Sequence, residues 1–188
     1  MRKKIHFLVL SIATVCVLAF AFSGCGNAGD YGKFGLNGNS RVEIPEPTNN
    51  YVNDYARVFS NDELDLLENA LYKFDKTRGV EVLVITVDDL GDYSIADYAQ
   101  RVGQKWGIGT EADEGVVIVV KPKNRTKGEA FITVGYGLEG TVPDATCRRI
   151  VSEKMIPYFQ DDDYYGGVKA AVKAICKLVD EEDEEWDY

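Results

Sequence analysis

Acidic side chains at predicted loop ends are the residues of this chain that could do chemistry. Asp113 and Glu114 directly precede an apolar run, and Glu139 and Asp144 follow the next apolar run, in a glycine-rich turn and at a predicted helix start. Asp54 stands before the first predicted helix. Carboxylates that converge beside a sheet repel one another unless a cation joins them. These five acids are therefore the candidate ligands of a shared metal site.

Simpler roles are open to the same acids. An aspartate such as Asp54 often bonds nearby backbone amides in a turn, and a carboxylate at a helix start, such as Asp144, is expected as an N-cap. Separate, solvated acids are thus the alternative to a shared site. If a cation is bound, oxygen ligands without histidine or cysteine favour Ca²⁺ or Mg²⁺ over transition metals.

The first 24 residues have the order of a secretory signal. Three basic residues are followed by an apolar run over residues 5–22 and then by Ser23-Gly24-Cys25. A cysteine directly after small residues is typical of a lipoprotein box, so we expect cleavage after Gly24 and a lipid on Cys25. The alternative is an uncleaved membrane helix, because about 20 apolar residues can span a bilayer.

Cleavage at this point would exclude several classes of protein. It removes His6, the only histidine, and with it any Ser-His-Asp or Cys-His nucleophile, histidine phosphatase or His-ligated zinc site. It also removes three basic residues and no acids, so the formal charge changes from −10 to −13. Such a surface repels nucleic acid, and we expect no nucleic-acid partner.

Two cysteines remain after the lipidation site. Cys147 and Cys176 each lie on a predicted helix, where a cysteine is commonly a small buried side chain. A disulfide between them is the alternative, because two antiparallel helices would bring the start of one near the end of the other. No C-x-x-C is present, and two thiols cannot complete a four-ligand zinc site.

Composition divides the chain into four segments. Residues 1–24 are the predicted signal, and residues 25–50 combine the lipidated cysteine with a flexible tether rich in Gly, Asn and Pro. Residues 51–179 are enough for one domain with one core. Residues 180–188 contain seven acids and are predicted to be a solvated tail.

Local signals predict an alternation of helices and strands in this domain. Ser60 with Glu63, and Ser94 with Asp97, have the spacing of a capping box, and Gly79 is placed to end the first helix. The predicted helices cover about residues 61–78, 95–106, 144–159 and 166–179, and the predicted strands cover residues 80–87, 115–121 and 129–134. Strands that are apolar throughout need cover on both faces. We therefore expect a single-domain, three-layer α/β/α sandwich with a small mixed β-sheet.

The stretch from residue 114 to residue 144 resembles the TPM domain, a family of membrane-associated, extracytoplasmic domains that includes a thylakoid-lumen phosphatase. Its order is an acidic turn, a buried strand, a hairpin, a second strand and a glycine-rich turn. The resemblance runs over about residues 51–179. The strongest match is at Gly135, Gly137, Glu139 and Asp144. Asp54 also matches a common family aspartate, whereas Glu114 stands where many members carry an amide. The resemblance implies the same three-layer fold.

Two functions are compatible with these features. The first is a lipid-anchored module on the extracytoplasmic face of the cell membrane that binds membrane or envelope proteins. The resemblance implies that such a module assists their assembly, repair or regulation. The second, implied by the resemblance, is a weak acid phosphatase in which a metal and Arg148 or Arg149 would offset the carboxylates. No phosphate-binding signature is present, and bare acids repel phosphate, so the binding module is favoured.

Overall fold

The computed structural model describes residues 42–109, 113–124 and 126–180, all within one compact unit. Within these ranges no helix has the length and apolar character needed to cross a membrane. The predicted signal, the lipidation site Cys25 and the acidic tail beyond Asp180 lie outside the described residues.

A four-stranded mixed sheet forms the middle layer of the domain. The strands β1 (Val52–Asp54), β2 (Glu81–Thr86) and β3 (Gly115–Lys121) are parallel, and β4 (Glu129–Val134) is antiparallel to β3. The strand order is β1-β2-β3-β4, which makes β4 an edge strand. The two central strands are buried along their whole length, as their β-branched composition predicts.

Helices cover both faces of this sheet. Alternate residues of the central strands enter two cores, with Ile118 in the first and Val119 in the second. The helices α1 (Asn61–Arg78) and α5 (Tyr164–Val179) pack on the first core, and α2 (Ile95–Trp106) packs on the second. The predicted three-layer α/β/α sandwich is therefore confirmed.

The helical segment before α5 contains a π turn. It consists of α3 (Asp144–Ile150), a π turn (Val151–Met155) and α4 (Ile156–Gln160), where one continuous helix was predicted. Pro157 explains the interruption, because proline has no N–H to donate to the preceding turn and its ring crowds the carbonyl there. The backbone widens just before this proline.

Ser60 and Ser94 cap the helices α1 and α2 as predicted, but only Ser60 forms a complete capping box. At Ser60 both bonds of the capping box with Glu63 are present, and Gly79 ends α1 with a φ of 74°. At Ser94 the hydroxyl accepts from the backbone N–H of Asp97 at 3.1 Å, but the Asp97 carboxylate accepts from that hydroxyl at 2.8 Å and not from the cap N–H. The second predicted box is thus only half formed, because aspartate is one methylene shorter than glutamate.

Residues 42–50 pack on the domain, although they were predicted to belong to the flexible tether. Val42 and Ile44 contact the second core. The indole N–H of Trp106, near the end of α2, donates to the carbonyl of Pro45 at 2.8 Å. The predicted tether therefore includes a stretch that is bound to α2, because a short extended segment can be held by a few contacts without periodic apolar residues.

Asp180 belongs to the domain and not to the predicted solvated tail. It is 5% exposed, and its backbone N–H donates to the carbonyl of Cys176 at 2.8 Å. Its carboxylate forms an ion pair with Arg78 at the end of α1. This pair joins the C-terminal ends of α1 and α5.

Candidate functional site

An open cleft of about 480 Å³ lies where β3 begins and β4 ends. The antiparallel register places Val116 beside Val134, so the loop before β3 and the turn after β4 are neighbours. Asp113 lies in that loop and Glu139 lies in that turn, and both residues line the cleft. The polar side chains that line the cleft are those of Gln100, Gln104, Asp113, Thr133, Tyr136 and Glu139.

Asp113 is held against the glycine-rich turn. Its backbone adopts a φ of 55°, which aspartate tolerates better than most residues. Its Oδ2 atom accepts from the backbone N–H of Tyr136 at 3.0 Å, and its carbonyl accepts from Gly137 at 3.1 Å. A Cβ at Gly135 would lie 2.1 Å from that carbonyl oxygen, so the turn can approach Asp113 only with glycine at this position.

Glu81 is an acid at this end of the sheet that the sequence analysis did not single out. It is 9% exposed, and its Oε2 atom accepts from the backbone N–H of Gly109 at 3.2 Å. Glu114 is half-buried, and its backbone bonds to the same two residues. Its N–H donates to the carbonyl of Gly109 at 3.2 Å, and its carbonyl accepts from the N–H of Glu81 at 3.3 Å. A charged residue at the first position of an apolar strand is the signal that could have identified Glu81.

Asp54 lies at the opposite end of the sheet from Asp113. In the register of β1 and β2, Asp54 is opposite Thr86, the last residue of β2, whereas Glu81 at the start of β2 is opposite Gly115. At about 3.3 Å per residue, the five steps along β2 separate the two ends by about 16 Å. The prediction that Asp54 shares a site with the other four acids is therefore wrong.

The carboxylate of Asp54 instead organises the turn into α1. It accepts from the backbone N–H groups of Val58 at 3.1 Å and Phe59 at 3.0 Å, and from the hydroxyl of Thr86. This is the local, structural role that was the alternative for this residue.

Asp144 is the first residue of α3 and is exposed. Its expected N-cap role is wrong, because Pro143 occupies the cap position and no side chain bonds there. It does not line the cleft with Asp113 and Glu139. Across the part of the chain that the structure describes, no group of three or more His, Cys, Asp or Glu side chains is placed to hold a metal ion. The five acids thus do not form one preformed cluster.

Arg148 does not line the acidic cleft. It lines a separate groove of about 160 Å³ beside β4, together with Ile132 and Val151. Arg149, the other arginine expected to offset the carboxylates, does not line the cleft either.

The two cysteines are both free and buried. Burial raises the pKa of Cys147 to about 11 and the pKa of Cys176 to about 12, and the nearby carboxylates of Asp144 and Asp180 act in the same direction. Both thiols contribute to the first core. The structure holds them as small buried side chains and not as the disulfide that the sequence left open.

This fold is that of a TPM domain. The chain matches the TPM domain family over residues 52–178, and it belongs to that family. The solved N-terminal domain of a P. gingivalis protein is 30% identical, with a TM-score of 0.63, over 70% of this chain and 82% of that chain. No curated protein matches the chain.

Two more distant structures share the fold. The N-terminal domain of the cg2496 protein from Corynebacterium glutamicum is 14% identical over 78% of this chain and 93% of that chain, with a TM-score of 0.56. The BA42 protein from Bizionia argentinensis is 16% identical over 64% of this chain and 81% of that chain, with a TM-score of 0.54. At this identity the likeness shows the fold alone.

Proposed function

We propose that this chain is a membrane-anchored, extracytoplasmic TPM-domain lipoprotein whose acidic cleft binds a divalent cation and whose domain binds membrane or envelope proteins. The observation that carries the cation site is that Asp113 and Glu139, from separate loops, line the same cleft. The lipid on Cys25 would hold the domain near its partners, and the composition of the segment after Cys25 supports a tether.

The cleft offers the oxygen ligands that Ca²⁺ and Mg²⁺ prefer. The backbone N–H of Tyr136 donates to Oδ2 of Asp113, which fixes the orientation of the carboxylate. Glu139 is exposed, and Gln100 and Gln104 of α2, which carry amide oxygens, also line the cleft. Among the described residues, two carboxylates line the cleft, so water would complete the coordination and millimolar affinity is expected.

Thermal melting of the full chain with and without cation tests this site. A cation at a hundred times its Kd stabilises the native state by about 2.7 kcal/mol, which raises the Tm by roughly 5–10 °C for a domain of this size. Asp113→Asn combined with Glu139→Gln removes most of this gain, and Asp113→Asn combined with Glu114→Gln shows whether Glu114 contributes. Asp144→Asn is the matched control, because it changes one exposed acid outside the cleft. An unchanged Tm at about 100 mM cation, a hundred times a millimolar Kd, would show that these acids are merely solvated.

A weak acid phosphatase acting on phosphate monoesters is the second candidate, because the matching family also carries the name TPM_phosphatase. The cleft itself does not favour it, since no lysine or arginine is among its lining residues in the described part of the chain. Hydrolysis of p-nitrophenyl phosphate by wild type and by the Asp113→Asn, Glu139→Gln variant separates the two functions. Metal-dependent activity that the variant lacks would support the phosphatase, and equal rates would indicate a contaminant.

A further inference from the structure

The outer edge of β4 borders a groove that is distinct from the acidic cleft. One side of the groove is the strand, at Ala130 and Ile132, and the other is the helical segment, at Val151 and Ile156. Ile156 also lines an adjoining cavity of about 480 Å³. The two spaces together flank β4 from its middle to the start of the strand.

The backbone of β4 is unpaired along this edge. Gly135 lies opposite Gly115 when the register is extended by one residue, and its N–H donates to the carbonyl of Gly115 at 2.8 Å. In an antiparallel ladder, hydrogen-bonded pairs alternate with pairs that are not hydrogen-bonded to each other. The N–H and C=O groups of Ala130, Ile132 and Val134 therefore point away from β3. Among the residues that the structure describes, none bonds to these outward groups. Ala130 and Val134 are half-buried, whereas Ile132 is 2% exposed, so only the first two residues can present these groups at the surface. A row of free donors and acceptors beside a helix can pair with another extended chain.

The charge around this groove is opposite to that of the chain as a whole. Arg148 lines the groove, and Lys121, Lys123 and Lys127 line the adjoining cavity. Lys121 is buried and donates to the Thr126 hydroxyl at 2.7 Å, so it supports the loop, whereas Lys123 and Lys127 are exposed. The cavity also carries two acids, Glu129 and Asp162, which leaves the combined surface net positive in a chain of formal charge −10.

We propose that the edge of β4 binds an acidic, extended segment of a protein partner as an added strand. The accessible ladder groups of Ala130 and Val134 would pair with the segment's backbone, the groove would take its apolar side chains, and Arg148, Lys123 and Lys127 would attract its carboxylates. The inference rests on the proposed binding function and names the class of partner that this function requires.

Synthetic peptides test this strand pairing directly. The probes are an eight-residue peptide that alternates Glu with Val, the same peptide with Lys in place of Glu, and the acidic peptide N-methylated at every second residue. Fluorescence anisotropy with the full chain is expected to show binding of the acidic peptide, with at least tenfold weaker binding of the other two. Equal binding of the N-methylated peptide, or no binding of the acidic one at millimolar concentration, would overturn the proposal.

Charge variants identify the surface. Lys123→Glu with Lys127→Glu is expected to weaken peptide binding at least tenfold. Lys73→Glu with Lys173→Glu changes the net charge equally at exposed sites on α1 and α5, and it is expected to leave the affinity within twofold of wild type. If both double variants lost peptide affinity equally, the net charge of the chain would explain the binding, and a site at β4 would be refuted.

Backbone and assembly measurements complete the test. Ala130→Pro removes one outward N–H from an edge strand, which sheets tolerate there, and is expected to abolish peptide binding without unfolding. If the full chain is instead a dimer that this variant converts to a monomer, the occupant is a second copy and the acidic-partner proposal is wrong.

The cation-induced change in Tm is measured on the same samples. Its persistence without peptide binding would reject the strand proposal alone, whereas its absence would count against the proposed cation site.

Discussion

The carboxylate of Asp54 closes the turn between β1 and α1. Asp54→Ala leaves the backbone N–H groups of Val58 and Phe59 and the hydroxyl of Thr86 without their acceptor. Unpaired, partly buried polar groups cost about 1–3 kcal/mol each, and water reaches some of them, so we expect a loss of roughly 2–4 kcal/mol in the free energy of unfolding. Urea unfolding of wild type and variant measures this loss of stability.

The same residue provides a control for the cation site. Asp54→Asn keeps one acceptor oxygen and is expected to retain the full cation-induced gain in Tm, because Asp54 lies at the far end of the sheet from Asp113. A variant that folded but lost this gain would contradict the separation of the two acids.

The thiols of Cys147 and Cys176 should be free but unreactive in the folded protein. Burial raises their pKa values to about 11 and 12 from an ordinary value of 9.0, so they are protonated at pH 8. We expect negligible labelling by a thiol reagent at pH 8 in the native domain and labelling of both residues after denaturation without reductant. Failure of both to label after denaturation would show a disulfide.

The raised thiol pKa values also set a pH dependence of stability. Because the folded pKa values lie above the unfolded value, this contribution to stability is fully present below about pH 9 and is lost as pH rises towards 11–12. Urea unfolding should therefore show a steeper loss of stability between pH 9 and pH 11 in wild type than in Cys147→Ala with Cys176→Ala. Equal slopes in the two proteins would contradict this assignment.

At the scale of elements, residues 42–50 are bound to α2 mainly near its end. Lys105 donates to the carbonyl of Ile44 at 2.7 Å, and Trp106 donates to that of Pro45 at 2.8 Å. Trp106→Phe removes the indole donor while keeping an aromatic ring, and we expect a loss of about 1 kcal/mol. Hydrogen exchange in residues 42–50 should become faster, with no change in β3. Unchanged exchange would show that the apolar contacts alone hold the segment.

The central strands and the helices could be predicted from the sequence because each carries a strong local signal. The β-branched runs predicted β3 and β4 at their observed bounds, and the cap at Ser60 predicted the start of α1. The strand β1 was not predicted, since three residues are too few to show a period of two. That omission placed Asp54 at the wrong end of the sheet.

The candidate site was predictable only where it depends on the hairpin. An antiparallel connection between β3 and β4 brings the residues before β3 and after β4 together, so the proximity of Asp113 and Glu139 follows from the order of elements. Glu81, Gln100 and Gln104 come from β2 and α2, and their positions depend on the register and on helix packing. Neither the strand register nor the helix packing can be predicted from the spacing of residues along the sequence.

At the scale of the whole molecule, the predicted lipid anchor would determine where the domain acts. The basic start, the apolar run over residues 5–22 and Ser23-Gly24-Cys25 are the basis for this prediction. Cys25→Ala should abolish incorporation of an alkyne palmitate analogue and leave the precursor uncleaved, as judged by its mass. Equal label in wild type and variant would place the lipid elsewhere.

The described domain separates its charges. The acidic cleft lies at the start of β3, and the lysines gather near the end of that strand and the start of β4. A cation at the cleft and an acidic partner at the edge of β4 would therefore act at different surfaces of one sheet. The cleft shares no lining residue with the groove or the adjoining cavity, but Val134 lines the cleft and also belongs to the proposed strand edge.

Capture from native membranes tests the central claim most directly. The full chain, anchored in its own membrane and cross-linked before extraction, is purified in Ca²⁺ or Mg²⁺ and in chelator, beside Asp113→Asn with Glu139→Gln and the Asp144→Asn control. We expect to recover a defined set of membrane or envelope proteins with wild type and with the control in cation, and to lose this set in chelator and in the double variant. The same proteins recovered under every condition, or none recovered from wild type in cation, would contradict a cation-dependent binding module.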